Sequence, residues 1–298
     1  MIKKNFLTGE YVIYSLDRLK RPQSIKKDIL ITPIEICPFC IENKHMICNP
    51  IYASFNDEIR LIYNKYPIIY DNQESYGIHY VLIDTKDHKK NIIDYTDEHM
   101  FYLVKSIKDI LNILYEDKKL KYVQVFKNQG INAGASQSHS HWQVLGLSVL
   151  PNKQKYMLNA LKKYERYNGK CYFCNINYSN NLVYENDYFL AFCPDDSLYC
   201  YEINIISKEH ITNIRNLDDI MLNELGIILK KCLIKLNLIY SNLDYNIAIY
   251  NGFRDEYEYH FFIQIIPRIG NFGGFEVSTG MFVNSVLPKD AAKNLRQI

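Results

Sequence analysis

The sequence predicts an α+β fold in which one unit is used twice, with antiparallel sheets and packed helices. Three observations carry that expectation. A histidine pattern occurs twice, as His139-Ser140-His141-Trp142-Gln143 and as His260-Phe261-Phe262-Ile263-Gln264. A Cys-x-x-Cys pair precedes each copy, Cys37-Pro38-Phe39-Cys40 and Cys171-Tyr172-Phe173-Cys174. From the pair onward each half runs through short apolar strands, an amphipathic helix and a hairpin whose second strand follows the pattern, the succession expected of helices laid on an antiparallel sheet.

The elements can be justified in order. Residues 79–88 read as a strand ending in a polar turn, and residues 202–210 match them. Thr96 caps the helix that follows in the first half, with Asp97 and Glu98 in its first turn. Met100, Leu103, Val104, Ile107, Ile110, Leu111 and Leu114 then recur at helical spacing. In the second half Asn216 is the expected cap, Asp218 and Asp219 the first-turn acids, and Met221, Leu222, Leu225, Leu229 and Cys232 the apolar face. A strand follows each helix, at 122–126 and 245–249. A second strand follows each histidine pattern, at 143–147 and 264–266. The Lys- and Tyr-rich stretch 151–170 is the expected junction and is expected to be partly helical. It divides the chain into a unit at 1–150 with the intact histidine pattern and a unit at 151–298 with the degenerate one.

With 298 residues and a hydrophobic fraction of 48%, the chain can bury a substantial core. A formal net charge of +2 gives no electrostatic case for nucleic acid or an acidic partner. No run approaches the ~18 apolar residues of a membrane span, and the basic start is not followed by an apolar signal core. A soluble, cytoplasmic protein is expected. Cys48, Cys193, Cys200 and Cys232 show no pairing pattern and read as small apolar filler.

Each half offers Cys, Cys, His and His in the same order: Cys37, Cys40, His88 and His139, then Cys171, Cys174, His210 and His260. A Cys-x-x-Cys turn brings two thiolates into one coordination shell, and two later imidazoles complete a tetrahedron suited to Zn²⁺. With four protein ligands each, both sites are expected to be structural and closed. Two other readings stay open, a redox pair and reduced thiols without metal. A redox Cys-x-x-Cys should follow a strand and open a helix. Residues 41–45 show no sustained apolar helical face.

His139 and His141 alternate along an extended segment and so share one face. With His139 fixed on a metal, His141 keeps a ring nitrogen for attack on phosphorus. The resulting phosphoramidate is labile enough to hand the group on. Gln143 lies on the same face, where its amide can donate to a phosphoryl oxygen. Gly134, Ala135 and Ser136 form a small-residue turn whose backbone N–H groups could approach phosphates. Trp142 points the other way, toward the core.

Several segments add to this. Arg18-Leu19-Lys20-Arg21-Pro22 leads toward the first cysteine pair, and Asn64-Lys65-Tyr66-Pro67 and Phe126-Lys127-Asn128-Gln129-Gly130 precede the intact pattern. With them the chain resembles, over nearly its whole length, the galactose-1-phosphate uridylyltransferase branch of the histidine-triad superfamily, which also includes ADP-glucose phosphorylases. The later segments 264–268, Gly273-Gly274-Phe275-Glu276-Val277-Ser278-Thr279-Gly280 and 287–292 look most like the phosphorylase subgroup. The resemblance implies duplicated histidine-triad-like units, usually dimeric, with His141 as covalent nucleophile. It places Gln143 and Ser136 on the phosphates, Asn64 on the nucleoside, and Cys37, Cys40, His88 and His139 on zinc. Arg18, Arg21, Asn128, Gln137, Gly273 and Gly274 complete the expected substrate contacts; for Arg18, Lys20 and Arg21 solvated surface charge is the alternative. The chain departs from uridylyltransferases proper in carrying His260-Phe261-Phe262 where a second His-Trp-His is usual.

The function expected is transfer of UMP or AMP from a nucleoside diphosphate sugar to a sugar 1-phosphate or inorganic phosphate, through a nucleotidyl-histidine. A homodimer acting without nucleic acid or membrane is expected. Dinucleoside polyphosphate phosphorolysis or hydrolysis is a second reading, and a non-catalytic nucleotide sensor a third. Uracil versus adenine, the sugar and the acceptor are left open by the sequence.

Overall fold

The structure is a computed structural model that describes residues 1–17, 32–70, 76–253, 258–270 and 272–298. Its strands are β1 (Ile2–Lys4), β2 (Tyr11–Tyr14), β3 (Tyr52–Ser54), β4 (Ile59–Tyr63), β5 (Gly77–Ile83), β6 (Tyr122–Gln129), β7 (His141–Leu147), β8 (Leu182–Glu185), β9 (Phe189–Phe192), β10 (Ile203–Ser207), β11 (Tyr245–Tyr250), β12 (Phe262–Pro267) and β13 (Phe282–Asn284). Its helices are α1 (Asp97–Glu116), α2 (Asn152–Asn168), α3 (Tyr172–Asn175), α4 (Asp219–Ile239), α5 (Gly274–Thr279) and α6 (Pro288–Arg296).

Ten strands form one sheet in the order β3-β4-β5-β7-β6-β11-β12-β10-β9-β8, antiparallel at every pairing. Read outward from the middle, the order is the same in both directions. Each half contributes three strands, a helix and two strands, and the halves join edge to edge where β6 pairs with β11. The duplication legible in the sequence is thus a symmetric sheet. A separate small sheet, β1-β2-β13, carries the N-terminal strands.

The alternation of side chains along the strands gives the sheet two different faces. On one face lie α1 and α4, packed against each other. Leu103, Ile107 and Leu111 of α1 and Leu222, Leu225 and Leu229 of α4 share a core with Val123, Val125, Trp142, Ile247 and Ile249. Gly226 permits the close approach, since a Cβ there would sit 3.1 Å from the Met100 backbone. On the other face, Tyr122, Tyr250 and Phe262 pack with Met157, Leu158 and Leu161 of α2, while Val81 and Ile83 pack with Cys37, Phe39 and Cys40. Both cysteine pairs and His141 are on this second face.

The expected helices are present, with one correction. Thr96 caps α1, its side chain accepting from the His99 N–H at 3.1 Å. The cap of α4 is Asp218, which accepts from the Met221 N–H at 2.8 Å, and not Asn216. Asn216 closes a separate 3₁₀ turn, Ile214–Asn216, capped by Asn213, so the α-helix begins later than the sequence pattern implied. The stretch 151–170 is largely α2. Among the described residues no helix is long and apolar enough to cross a membrane. The cap assignment is testable by urea unfolding. Asp218→Ala should cost about 1 kcal/mol, whereas Asn216→Ala should stay within about 0.5 kcal/mol.

Candidate active site

The fold brings each Cys-x-x-Cys pair to two histidines from later elements. The ligand atoms of Cys37, Cys40, His88 and His139 lie within 4.8 Å of one another, and those of Cys171, Cys174, His210 and His260 do the same. In the first cluster His139 Nδ1 is 3.6 Å from each sulfur, and His88 Nδ1 is 3.2 Å from Cys40 Sγ. In the second, His260 Nδ1 is 3.5 and 3.6 Å from the two sulfurs, and His210 Nδ1 is 3.6 Å from Cys174 Sγ. Zn–S and Zn–N bond lengths require S···N edges of about 3.5 Å in a tetrahedron. The donor sets therefore fit zinc in both number and spacing.

Carbonyl groups behind the rings fix the required tautomer. His139 Nε2 donates to Thr85 O at 2.8 Å, His88 Nε2 to Thr32 O at 2.8 Å, and His260 Nε2 to Ser207 O at 3.1 Å. Each ring thereby keeps the Nδ1 lone pair for the centre. The redox arrangement is not the one observed. Cys37 and Cys40 lie between two 3₁₀ turns, Ile34–Ile36 and Ile41–Met46, rather than between a strand and an α-helix.

His141 opens β7, one residue pair beyond the cluster. Its Nδ1 donates to the His139 carbonyl at 2.8 Å, which leaves Nε2 with a lone pair. The Phe39 ring packs on it at a centroid distance of 5.1 Å, between the two cysteines of the cluster in sequence. Burial, with the Lys127 ammonium nearby, pushes its pKa down to about 4, so the ring is neutral at physiological pH. Gln143 lies on the same face, its Oε1 2.9 Å from His79 Nε2.

Beneath this strand is a buried ion pair that sequence reasoning missed. Lys127 and Asp84 are both 0% exposed, with Nζ 3.1 Å from Oδ2. Lys127 also donates to Ser140 Oγ at 2.6 Å and to the His141 carbonyl at 3.1 Å. The same Asp84 oxygen accepts from Trp142 Nε1 at 3.0 Å. Burial raises the Asp84 pKa, but Lys127 and the hydrogen bonds outweigh it, and the carboxyl ends below its ordinary value. Ser140, His141 and Trp142 are thus held from below. Asp84 has no counterpart in the second half. Ile83 pairs with His141 and Thr85 holds His139, whereas Ile206 pairs with Phe262 and the very next residue, Ser207, holds His260. The first half has one extra residue at this corner, and that residue is the buried acid.

The other expected substrate residues are distributed unevenly. Asn128 ends near the Gly134 turn; its Oδ1 accepts from Asn246 Nδ2 at 2.8 Å, and the same nitrogen donates to Ala133 O. Asn246 comes from the second half and was not foreseen. Gly134 adopts φ 80°, the left-handed conformation the turn requires. Ser136 is exposed on that turn, and Gln137 is half-buried with Oε1 unpartnered among the described residues. Asn64 joins the His79–Gln143 group: its Nδ2 lies 3.3 Å from His79 Nδ1, the nitrogen that also accepts from the Ile68 N–H, and its Oδ1 accepts from the Tyr66 N–H. Gly273 and Gly274 are exposed at the start of α5, where Glu276 accepts from the Gly273 N–H. Arg18 and Arg21 lie outside the described residues. In the second half Phe262 replaces His141 and stacks on Tyr250 at 4.5 Å.

The chain is similar to known proteins over its full length. Residues 16–150 match the N-terminal domain of a domain of unknown function, DUF4931, and residues 89–297 match a second, DUF4921. The chain is 31% identical to ADP-glucose phosphorylase of Arabidopsis thaliana, over 100% of its own length and 92% of that protein. It is 25% identical to galactose-1-phosphate uridylyltransferase of Thermotoga maritima, over 99% of this chain and 98% of that one. The crystal structure of the Arabidopsis phosphorylase with bound ADP-glucose superposes with a TM-score of 0.90 at 31% identity, covering 100% of this chain and 99% of that one. The intact His141 motif, the duplicated cysteine–histidine clusters and this full-length similarity place the chain in the galactose-1-phosphate uridylyltransferase and ADP-glucose phosphorylase family of nucleotidyltransferases.

Proposed function

We propose that this protein moves a nucleoside monophosphate from a nucleoside diphosphate sugar to a phosphate acceptor, with His141 as the covalent nucleophile. The observation that carries this reading is the hydrogen bond from His141 Nδ1 to the His139 carbonyl, which leaves Nε2 unprotonated and held beside a rigid cluster. Nε2 attacks the α-phosphorus of the donor, and the bond from that phosphorus to the bridging oxygen breaks. Sugar 1-phosphate leaves with the bonding pair. Nδ1–H, pinned on the carbonyl, stabilises the positive charge that the ring acquires. An oxygen of the acceptor phosphate then attacks the same phosphorus, and the Nε2–P bond breaks to restore the neutral ring. The Gln143 amide takes the charge on a non-bridging oxygen. The Gly134 and Ala135 N–H groups, expected to do the same, are already given to the Ile131 and Gly130 carbonyls at 3.0 and 3.1 Å, which leaves that role in the turn to Ser136.

The relative with greater similarity is the ADP-glucose phosphorylase, so AMP from ADP-glucose with inorganic phosphate as acceptor is the reading we favour. In this reading Asn128, Ser136 and Gln137 contact phosphates and Asn64 the nucleoside. Arg18 and Arg21 are assigned to phosphate by the same analogy, and Gly273 and Gly274 to substrate through a second copy of the chain in a homodimer. The division at residues 150 and 151 separates the catalytic unit from the scaffold unit. Eight cysteines without a disulfide fit a reducing, cytoplasmic setting.

Zinc in the two clusters would cross-link each half and fix His139, with no part in bond making. Denaturing digestion should release about two zinc equivalents per chain, one for each cluster. Release near zero would remove zinc from the account. The chemistry is tested by exchange of labelled sugar 1-phosphate into the nucleotide sugar without a second acceptor. Wild-type protein should catalyse exchange, and His141→Ala should fall to background with unchanged thermal unfolding. Exchange by His141→Ala at the wild-type rate would refute the assignment.

A further inference from the structure

The two halves treat the conserved glutamine of the repeat in opposite ways. Gln143 pairs in register with Val81 and Gln264 with Asn204. Two residues before each partner stand His79 and Glu202, so these occupy the same place in the two half-sheets. Both are buried, at 5% and 2% exposure.

In the first half the Ile68 N–H donates to His79 Nδ1 at 3.1 Å. That nitrogen is the acceptor, so the ring proton is on Nε2. Nε2 in turn donates to Gln143 Oε1 at 2.9 Å. Burial lowers the His79 pKa, although the hydrogen bond to Gln143 opposes it, so the ring is neutral and carries one proton. The oxygen end of Gln143 is occupied, and its N–H₂ end is left on the face of His141. In the second half Gln264 Nε2 donates to Glu202 Oε1 at 2.6 Å, and Gln264 Oε1 accepts from the Tyr250 hydroxyl at 3.1 Å. There the carboxylate takes the N–H₂ end. Glu202 is itself anchored by the Leu198 and Tyr199 N–H groups.

We infer that His79 is a positioning residue that sets the polarity of the Gln143 amide, so that its N–H₂ group faces the phosphoryl group during transfer. The inference rests on the nucleotidyl-transfer reading of His141. The Ile68 N–H fixes the His79 tautomer, the tautomer fixes the amide, and the amide donates to charge that develops on phosphorus. Glu202 shows the alternative state: an acceptor at this position turns the amide around, in the half where Phe262 has replaced the nucleophile.

The test is a double-mutant cycle read by the same sugar 1-phosphate exchange, with thermal unfolding as the check on folding. His79→Glu should slow exchange by about 100-fold, the loss expected when one donor to a developing oxyanion is removed. His79→Gln, whose amide N–H₂ reaches the same point, should stay within about 5-fold. In the Gln143→Ala background His79→Glu should cost no more than about 3-fold further, because the residue acts through the amide. Equal losses in both backgrounds would mean that the new charge or a local distortion acts directly, and would overturn the inference. So would wild-type exchange in His79→Glu. Absence of exchange in the wild-type protein would instead defeat the nucleotidyl-transfer reading on which the inference stands.

Discussion

The hydrogen bond between His141 Nδ1 and the His139 carbonyl, 2.8 Å long, ties the His141 ring to the cysteine–histidine cluster. His139 is held at both ends: its Nδ1 faces two sulfurs and its Nε2 is fixed on the Thr85 carbonyl. Once that residue is immobile, its carbonyl is a fixed acceptor, and the tautomer of His141 follows. Lys127 and Asp84 hold the same segment from beneath through Ser140, the His141 carbonyl and Trp142. A buried ion pair is weak evidence of stability, and losing one partner typically costs about 3–5 kcal/mol. Here its visible effect is positional: it clamps the three consecutive residues Ser140, His141 and Trp142.

The duplication explains why so rigid a site can be built on so short a strand. Each half-sheet has an open edge at its β6 or β11 strand, and pairing the two edges closes both. The seam also lets the second half support the first. Asn246, on β11, orients Asn128 on β6 and holds the Ala133 carbonyl at the start of the Gly134 turn. The second half keeps its own cluster, and the position that corresponds to His141 is filled by Phe262 stacked on Tyr250.

Much of this was legible in the sequence, because repeated patterns and covalent chemistry are local. Two Cys-x-x-Cys pairs and two histidine patterns in the same order located both clusters, and the apolar periodicity located α1 and α4. What escaped depends on contacts between distant segments. Asp84 looked like a turn residue, and Lys127 was one member of the 126–130 segment that carries the resemblance; only the sheet brings them together under Trp142. His79 read as a strand residue, since its role comes from the Ile68 backbone and Gln143. Asp218 displaced Asn216 as cap because a 3₁₀ turn intervenes, which no periodicity reveals. The glycines at 273 and 274 were grouped with the site by resemblance, and they stand exposed at the start of α5.

The central claim is that His141 carries the nucleotide covalently. It is tested most directly by intact-protein mass after incubation with ADP-glucose, UDP-glucose or UDP-galactose and no acceptor, followed by peptide mapping. The account predicts a gain equal to one nucleoside monophosphate, located on His141 and discharged by inorganic phosphate or a hexose 1-phosphate. An unmodified protein that nonetheless turns over the same donor with acceptor present would contradict it, because transfer would then be direct.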